Sequence, residues 1–238
     1  MRPEYGSPTR LDADLEALAP KLGLQLSATD RERLLAYLAL IQRWTQVYNL
    51  TSVRNTGEMF THHLLDCLAV VVPLRKGSGA GEGGLRLLDV GSGAGLPGVV
   101  LALLNPDWQV TCVDAVAKKA TFIRQAAAEL GLPNLHGVHG RVEDKGTFKS
   151  PQFDLITSRA FASLKDFTSL TRLLLAPAGQ WAAMKANLSD EERSAVPADV
   201  DMFHVEQLIV PELDATRCLV WMKPASVVRS ADGSAGQP

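Results

Sequence analysis

Apolar side chains recur at three- and four-residue intervals along the first part of the chain: Leu34, Leu38, Ile41, then Trp44 or Thr45. That spacing lines one face of a helix with a single stripe. Ser27-Ala28-Thr29-Asp30, just upstream, supplies candidate caps for its start. Residues 11–72 read as helical throughout. A further helix over about residues 58–72 sets Met59, His63, Asp66 and Val70 along one side. The pattern then breaks at Gly77-Ser78-Gly79-Ala80-Gly81-Glu82-Gly83-Gly84, a run that cannot hold regular structure and reads as a linker.

Beyond the linker, short apolar runs alternate with helical stretches. Strands are predicted over residues 85–90, 109–114, 135–139, 153–158, 180–185, 203–210 and 217–222, and helices over 97–104 and 117–130. Strands separated by helices of this length make βαβ units and a largely parallel sheet. The last two strands have little between them and suit an antiparallel hairpin at a sheet edge. The expected organisation is an N-terminal helical extension (1–76), a Gly-rich linker (77–84), an α/β domain (85–223) and a disordered tail (224–238) rich in Ser, Gly and Ala.

Composition narrows the class without naming it. With 46% hydrophobic and 21% charged residues, the chain belongs among ordinary globular domains. No stretch reaches the roughly 18 to 20 apolar residues that span a bilayer, and the N-terminus lacks an apolar signal core, so a cytoplasmic protein is expected. Cys67, Cys112 and Cys218 are odd in number and widely spaced, which predicts neither a disulfide frame nor a metal site. A net charge of −2 argues against indiscriminate coating of nucleic acid but leaves room for a local basic patch.

The chemistry sits in Leu87-Leu88-Asp89-Val90-Gly91-Ser92-Gly93-Ala94-Gly95-Leu96-Pro97-Gly98, which closes one strand and opens a helix. Glycines let the chain turn sharply and let a ligand approach the backbone, and the helix N-terminus offers free N–H groups to a carboxylate or phosphate. Gly93 to Gly98 fits the dinucleotide pattern G-x-G-x-x-G, while Asp89 to Gly95 fits the acidic-x-G-x-G-x-G turn of S-adenosylmethionine enzymes. The second is favoured. Asp89 at the strand end suits a cationic, amine-bearing ligand and would repel a pyrophosphate, and three alternating glycines open a wider loop. Asp114 ends the next strand about 20 residues on, where a carboxylate pairs with ribose hydroxyls.

Several blocks together resemble one family, the bacterial 16S ribosomal RNA guanine-N7 methyltransferases formerly called glucose-inhibited division protein B. The blocks are Val47-Tyr48-Asn49-Leu50-Thr51-Ser52, His63-Leu64-Leu65-Asp66, the glycine turn, Gly140-Arg141-Val142-Glu143 and Ser158-Arg159-Ala160-Phe161-Ala162, within a likeness from about residue 37 to about residue 223. The resemblance implies a class I methyltransferase fold, Rossmann-like, with a seven-stranded mostly parallel sheet. It also implies S-adenosylmethionine contacts at Gly91, Leu96, Val142, Glu143 and Arg159, and a target in the decoding region of the small ribosomal subunit. His62 stands where the family often has a basic residue, and Ala186 where it has glycine.

The residues themselves speak to the reaction. Guanine N7 carries no proton, so its methylation needs alignment rather than a general base. After the strand at 153–157 there is no Asp/Asn-Pro-Pro-aromatic tetrad for an exocyclic amine, and no Pro-Cys pair supplies a thiol for a pyrimidine carbon. Ser158-Arg159-Ala160-Phe161 occupies that strand end. Arg159 is the candidate positioning residue. Phe161 serves either as a stacking platform for a base or as a plug under the loop. Arg141, Lys118 and Lys119 are candidate RNA contacts, Arg141 foremost because it sits on a strand-end loop. Asn49 with Thr51, and His63 with Asp66, read as hydrogen-bonding pairs that hold the helices to the sheet. The expected protein is a monomer, free of metal, that acts on 16S RNA or the small subunit. A small-molecule methyltransferase and a nucleotide-binding reductase or non-catalytic module stay open beside it.

Overall fold

The computed structural model describes residues 7–79, 84–144, 146–148 and 152–225. Its N-terminal part is one long helix (Ala28–Tyr48) with shorter ones on either side, not one continuous rod. Helix α1 (Pro8–Leu18) starts at a Ser7 cap, and α2 (Ala28–Tyr48) starts at a capping box in which Ser27 and Asp30 satisfy each other's backbone N–H. Asn49 in the left-handed conformation (φ 50°) ends α2. After a loop, α3 (Thr56–Met59) runs into a π-helical stretch (Phe60–Leu65), then α4 (Asp66–Leu68) and α5 (Val71–Gly77). The π turn is a departure from the expected regular helix. No periodicity at the sequence level announces an i→i+5 turn, and such turns cluster at functional sites.

The sheet follows with β1 (Leu85–Val90), α6 (Gly98–Leu104), β2 (Trp108–Asp114), α7 (Ala117–Glu129), β3 (Leu135–His139) and β4 (Phe153–Arg159). It continues with α8 (Leu164–Thr171), β5 (Leu175–Lys185), α9 (Asp190–Ser194), β6 (Val200–Leu208) and β7 (Arg217–Pro224). The strand order is β3-β2-β1-β4-β5-β7-β6, parallel up to β5, with β7 antiparallel to both of its neighbours. The seven strands stand where the hydrophobic pattern put them, with bounds that differ most at β5 and β6. β5 begins at Leu175 and passes an irregularity opposite Phe153 and Leu155, and β6 begins at Val200.

Successive residues of the central strands go to opposite cores. Leu87, Cys112, Leu155 and Ala182 join one core with Leu34, Tyr37, Val99 and Phe122 of α2, α6 and α7. Leu88, Val113, Ile156 and Ala183 join the other with Leu164 and Phe167 of α8. Both sheet faces are covered, which is why these strands read as unbroken apolar runs. The N-terminal helices share the first core, so the extension is welded to the sheet.

Gly77 belongs to α5, and a Cβ there would meet the Trp221 ring at 2.3 Å, so it is a packing glycine. Residues 80–83 of the expected linker and 226–238 of the expected tail lie outside the described residues, while Pro224 closes β7. Among the described residues no helix is long and apolar enough to cross a membrane. Strand order reverses between β2-β1 and β4-β5, and the carboxyl ends at that switch are where an open α/β sheet binds its ligand.

Candidate active site

The glycine turn leaves β1 and is fixed by its own backbone. The Gly91 and Ser92 N–H groups both donate to the Val113 carbonyl (2.9 and 3.2 Å), and Ser92 Oγ donates to the Asp89 carbonyl at 2.8 Å. Gly91, Gly93 and Gly95 all have positive φ (64°, 58° and 78°), a region costly for residues with a Cβ. At Gly93 a Cβ would meet nothing within 4 Å, so the space above the turn is open. Gly98 is different: a Cβ there would strike Cys112 Sγ at 2.2 Å, so glycine lets α6 approach the sheet closely.

Asp89 departs from expectation. Its side chain is wholly buried behind the turn, and Oδ2 accepts the Gly98 N–H at 3.0 Å. The first N–H of α6, which the sequence offered to a ligand, is therefore taken by a side chain of the protein. Burial pushes the Asp89 carboxyl up to about 7, against the opposing pull of the Gly98 N–H. Asp89 staples strand, turn and helix together and does not reach the cleft.

Asp114 stands where the ribose-binding acid was expected. Oδ2 accepts the Gly93 N–H at 2.9 Å and Oδ1 the Val116 N–H at 2.8 Å, while Lys119 Nζ lies 3.8 Å away. A second carboxylate lone pair on each oxygen is left for ligand hydroxyls. Tyr37, on the buried face of α2, donates its hydroxyl to the Ala94 carbonyl at 2.5 Å and braces the turn from below. Nothing in a tyrosine on a helical stripe announces that contact.

Two cavities flank the turn and share Gly91 and Lys119 in their walls. The smaller, about 350 Å³, is lined by Asp114, Val142, Glu143 and Phe161 among others. Val142 is buried at its wall, and Arg141 is exposed, 3.5 Å from Glu143. Phe161 packs over Gly91, where a Cβ would meet its ring at 2.7 Å, and edge-on against Phe167 at 6.3 Å. The ring wedges between the turn and α8 and, half-buried, also lines the smaller cavity. Lys118, on the outer face of α7, lies over the Tyr48 ring at 5.4 Å and lines neither cavity.

The larger cavity, about 570 Å³, gathers Gly93 and Leu96 with side chains from far along the chain. Arg159 Nη1 donates to the His62 carbonyl (2.8 Å) and to Asp66 Oδ2 (3.2 Å), and Arg217 Nε donates to Asp66 Oδ1 at 2.8 Å. Asp66 is thus shared by two arginines from two strands. His63 bonds through Nε2 with the Thr51 hydroxyl at 2.9 Å, and burial with the nearby Arg159 charge pushes it down to about 4. The expected pairings were Asn49 with Thr51 and His63 with Asp66. The partners are Arg54 for Asn49, Thr51 for His63, and the two arginines for Asp66. Ala160, next to Arg159, holds φ 55° in the cavity wall, a strained conformation of the kind functional sites retain.

The family model described as rRNA small subunit methyltransferase G (GidB) matches residues 30–220, which include every element of this cleft. The chain belongs to that family. A "Ribosomal RNA small subunit methyltransferase G" of Leptothrix cholodnii is 58% identical over 216 residues, covering 91% of this chain and 97% of the relative. One of Acidovorax ebreus is 54% identical over 226 residues, covering 92% and 98%. TrmN from Thermus thermophilus superposes with a TM-score of 0.54 at 19% identity, over 67% of this chain and 49% of that one. The CurJ carbon methyltransferase superposes at 0.53 and 15% identity, over 93% and 72%. At those identities the structures speak for the fold alone.

As a methyltransferase G by family, the chain uses S-adenosylmethionine as methyl donor. The residues present fit such a ligand: open space over Gly93, a carboxylate at Asp114, and a long cleft divided by the turn. Two cleft residues, Arg217 and Lys185, and the Glu192 that pairs with Lys185 carried no local signal in the sequence. Arg217 opens an apolar strand, Lys185 closes one, and Glu192 lies on a short exposed helix. Lys185 Nζ sits 2.6 Å from Glu192 Oε1 and 3.2 Å from the Ala162 carbonyl, which ties the loop after Arg159 to α9.

Proposed function

We propose that this methyltransferase transfers the methyl group to N7 of a guanine in the decoding region of 16S ribosomal RNA, acting in the cytoplasm as a monomer on the RNA or the small subunit. S-adenosylmethionine supplies, when bound, an electrophilic methyl on a sulfonium. Asp114 and the glycine turn, with Val142 and Glu143, would hold its nucleoside in the smaller cavity. Gly93, Leu96 and Arg159 would face the larger one. There Arg159 and Arg217 present guanidinium N–H groups suited to the acceptor edge of guanine. Lys119 and Arg141 lie where phosphates would approach.

One observation carries the N7 assignment. Two buried acid–base groups of the target cavity are already committed, Asp66 to two arginines and His63 to Thr51 with its basicity suppressed, and burial raises the third, the Cys218 thiol, which keeps it from acting as a thiolate. A site with its acid and base so engaged suits a nucleophile that has no proton to lose. Family membership favours RNA over the small-molecule alternative.

Methylation at N7 fixes a positive charge on guanine and weakens its glycosidic bond. Small subunits or 16S RNA incubated with enzyme and donor should therefore be cut at one nucleotide by reduction and amine treatment. Methyl incorporation without that cut would move the target to an amine, a carbon or a ribose hydroxyl.

A further inference from the structure

Tyr48 ends an aromatic ladder that begins in the core. Its ring lies 5.1 Å from Trp44, Trp44 lies edge-on to Phe122 at 5.3 Å, and Phe122 lies 6.5 Å from Tyr37. Tyr37 in turn holds the Ala94 carbonyl of the glycine turn. Tyr37 and Phe122 are buried, Trp44 is half-buried, and the outermost ring, Tyr48, is 46% exposed beside Val47, which is 71% exposed. Across from them the Lys118 ammonium lies 5.4 Å over the Tyr48 ring, and Val116, two residues earlier, is also exposed. The patch is flanked in sequence on both sides by residues that line the cleft. Leu50, Thr51 and Ser52 enter the larger cavity on one side, and Ala115 and Lys119 line cavity walls on the other.

A lone exposed tyrosine needs no explanation. Here the ring is braced from below, carries a cation and lies two residues from Leu50, which lines the cleft. A protein partner would seek a broader apolar area. A nucleobase seeks one accessible ring with a positive charge near its phosphate. A guanine whose N7 must enter a cleft also leaves its stack, and the base beside it loses a neighbour.

We infer that Tyr48 and Lys118 form a stacking platform for an unpaired base of the substrate RNA adjacent to the target guanine. The base takes over the tyrosine ring, and its phosphate takes the Lys118 ammonium. This deepens the RNA methyltransferase reading and rests on it.

The test uses full-length enzyme and a single-stranded RNA fragment containing the target guanine with 2-aminopurine beside it. Binding to wild type should quench the 2-aminopurine as it stacks. Tyr48→Ala should abolish that quenching and weaken RNA binding by about 5- to 150-fold, the range for losing one base–aromatic stack. Tyr48→Phe should keep both. Lys118→Met should lower the salt slope of RNA binding by about 0.7, as for one phosphate on a single strand. Melting temperature and S-adenosylmethionine affinity should stay at wild-type values throughout.

Wild-type RNA affinity and quenching in Tyr48→Ala would overturn the platform, as would an equal loss in Tyr48→Phe. A defect confined to assembled subunits would assign the surface to a ribosomal protein and also overturn it. Tyr48-dependent quenching together with methyl incorporation into 16S RNA or small subunits that gives no N7 cleavage would leave the platform standing and remove the N7 assignment. N7 product with no Tyr48 dependence would do the reverse.

Discussion

The two halves of the cleft are built by different means. On the cofactor side the shape comes from a backbone turn and one carboxylate, Asp114, held by local hydrogen bonds among a strand, a turn and the next strand, with Val142 and Glu143 added from the loop after β3. On the target side they are side chains brought together over great sequence distances: Asp66 meets Arg159 93 residues away and Arg217 151 residues away. A locally built site depends on residue types that permit a backbone shape. A side-chain site depends on the whole fold arriving first, and its charges must cancel in place.

That difference predicts where each half breaks. Asp66→Ala should be the most damaging change, because it leaves two largely buried guanidinium groups facing each other without their carboxylate. Loss of one partner from a buried pair costs about 3 to 5 kcal/mol, read as a lowered urea midpoint at an unchanged slope. An Asp66→Ala protein as stable as wild type would mean the arginines re-pair locally, and the target side would not be the interdependent assembly described above.

The halves should also answer pH with opposite signs. Asp89, on the cofactor side, is raised from 3.8 to about 7 in the folded state. The folded protein therefore keeps a proton that the unfolded chain has lost. Its contribution to stability is full below about 3.8 and is lost as pH rises towards about 7. His63, on the target side, is lowered from 6.5 to about 4, so the unfolded chain takes up the proton first. Its contribution is full above about 6.5 and is lost as pH falls towards about 4. Asp89→Asn should flatten the first trend and His63→Gln the second, each by on the order of 3 to 4 kcal/mol across its window. Parallel unfolding titrations of the three proteins between pH 4 and 7 read both. Identical pH profiles in wild type and His63→Gln would show that the imidazole titrates freely.

The same contrast governs how much the sequence could reveal. The seven strands, the glycine turn and Asp114 were legible because each depends on residues near it: alternation, glycine and the end of an apolar run. Lys119 and Arg159 were legible as candidates by position, and the structure puts both in the cavity walls. Asp89 was read as ligand-facing because a strand end looks the same whether its carboxylate points forward to the cleft or back to Gly98. The partners of His63 and Asp66 were misread because helical spacing reports who shares a face, not who arrives from another strand. Arg217, Tyr37 and the π turn at Phe60–Leu65 have meaning only after the helices dock on the sheet.

The central claim is that the backbone of the glycine turn makes the cofactor half, with Gly93 under the ligand. Gly93 and Gly131 offer a matched pair: φ is +58° and +60°, and a Cβ on either would meet nothing within 4 Å. Only Gly93 faces the larger cavity; Gly131 lies past the end of α7. The strain of a valine in the left-handed region should lower both melting temperatures by a similar amount, the equivalent of about 1 to 2 kcal/mol. Calorimetric titration with S-adenosylmethionine should then separate them: no measurable binding to Gly93→Val, and wild-type affinity in Gly131→Val. Wild-type affinity in Gly93→Val would contradict the account and take the turn out of the cofactor site.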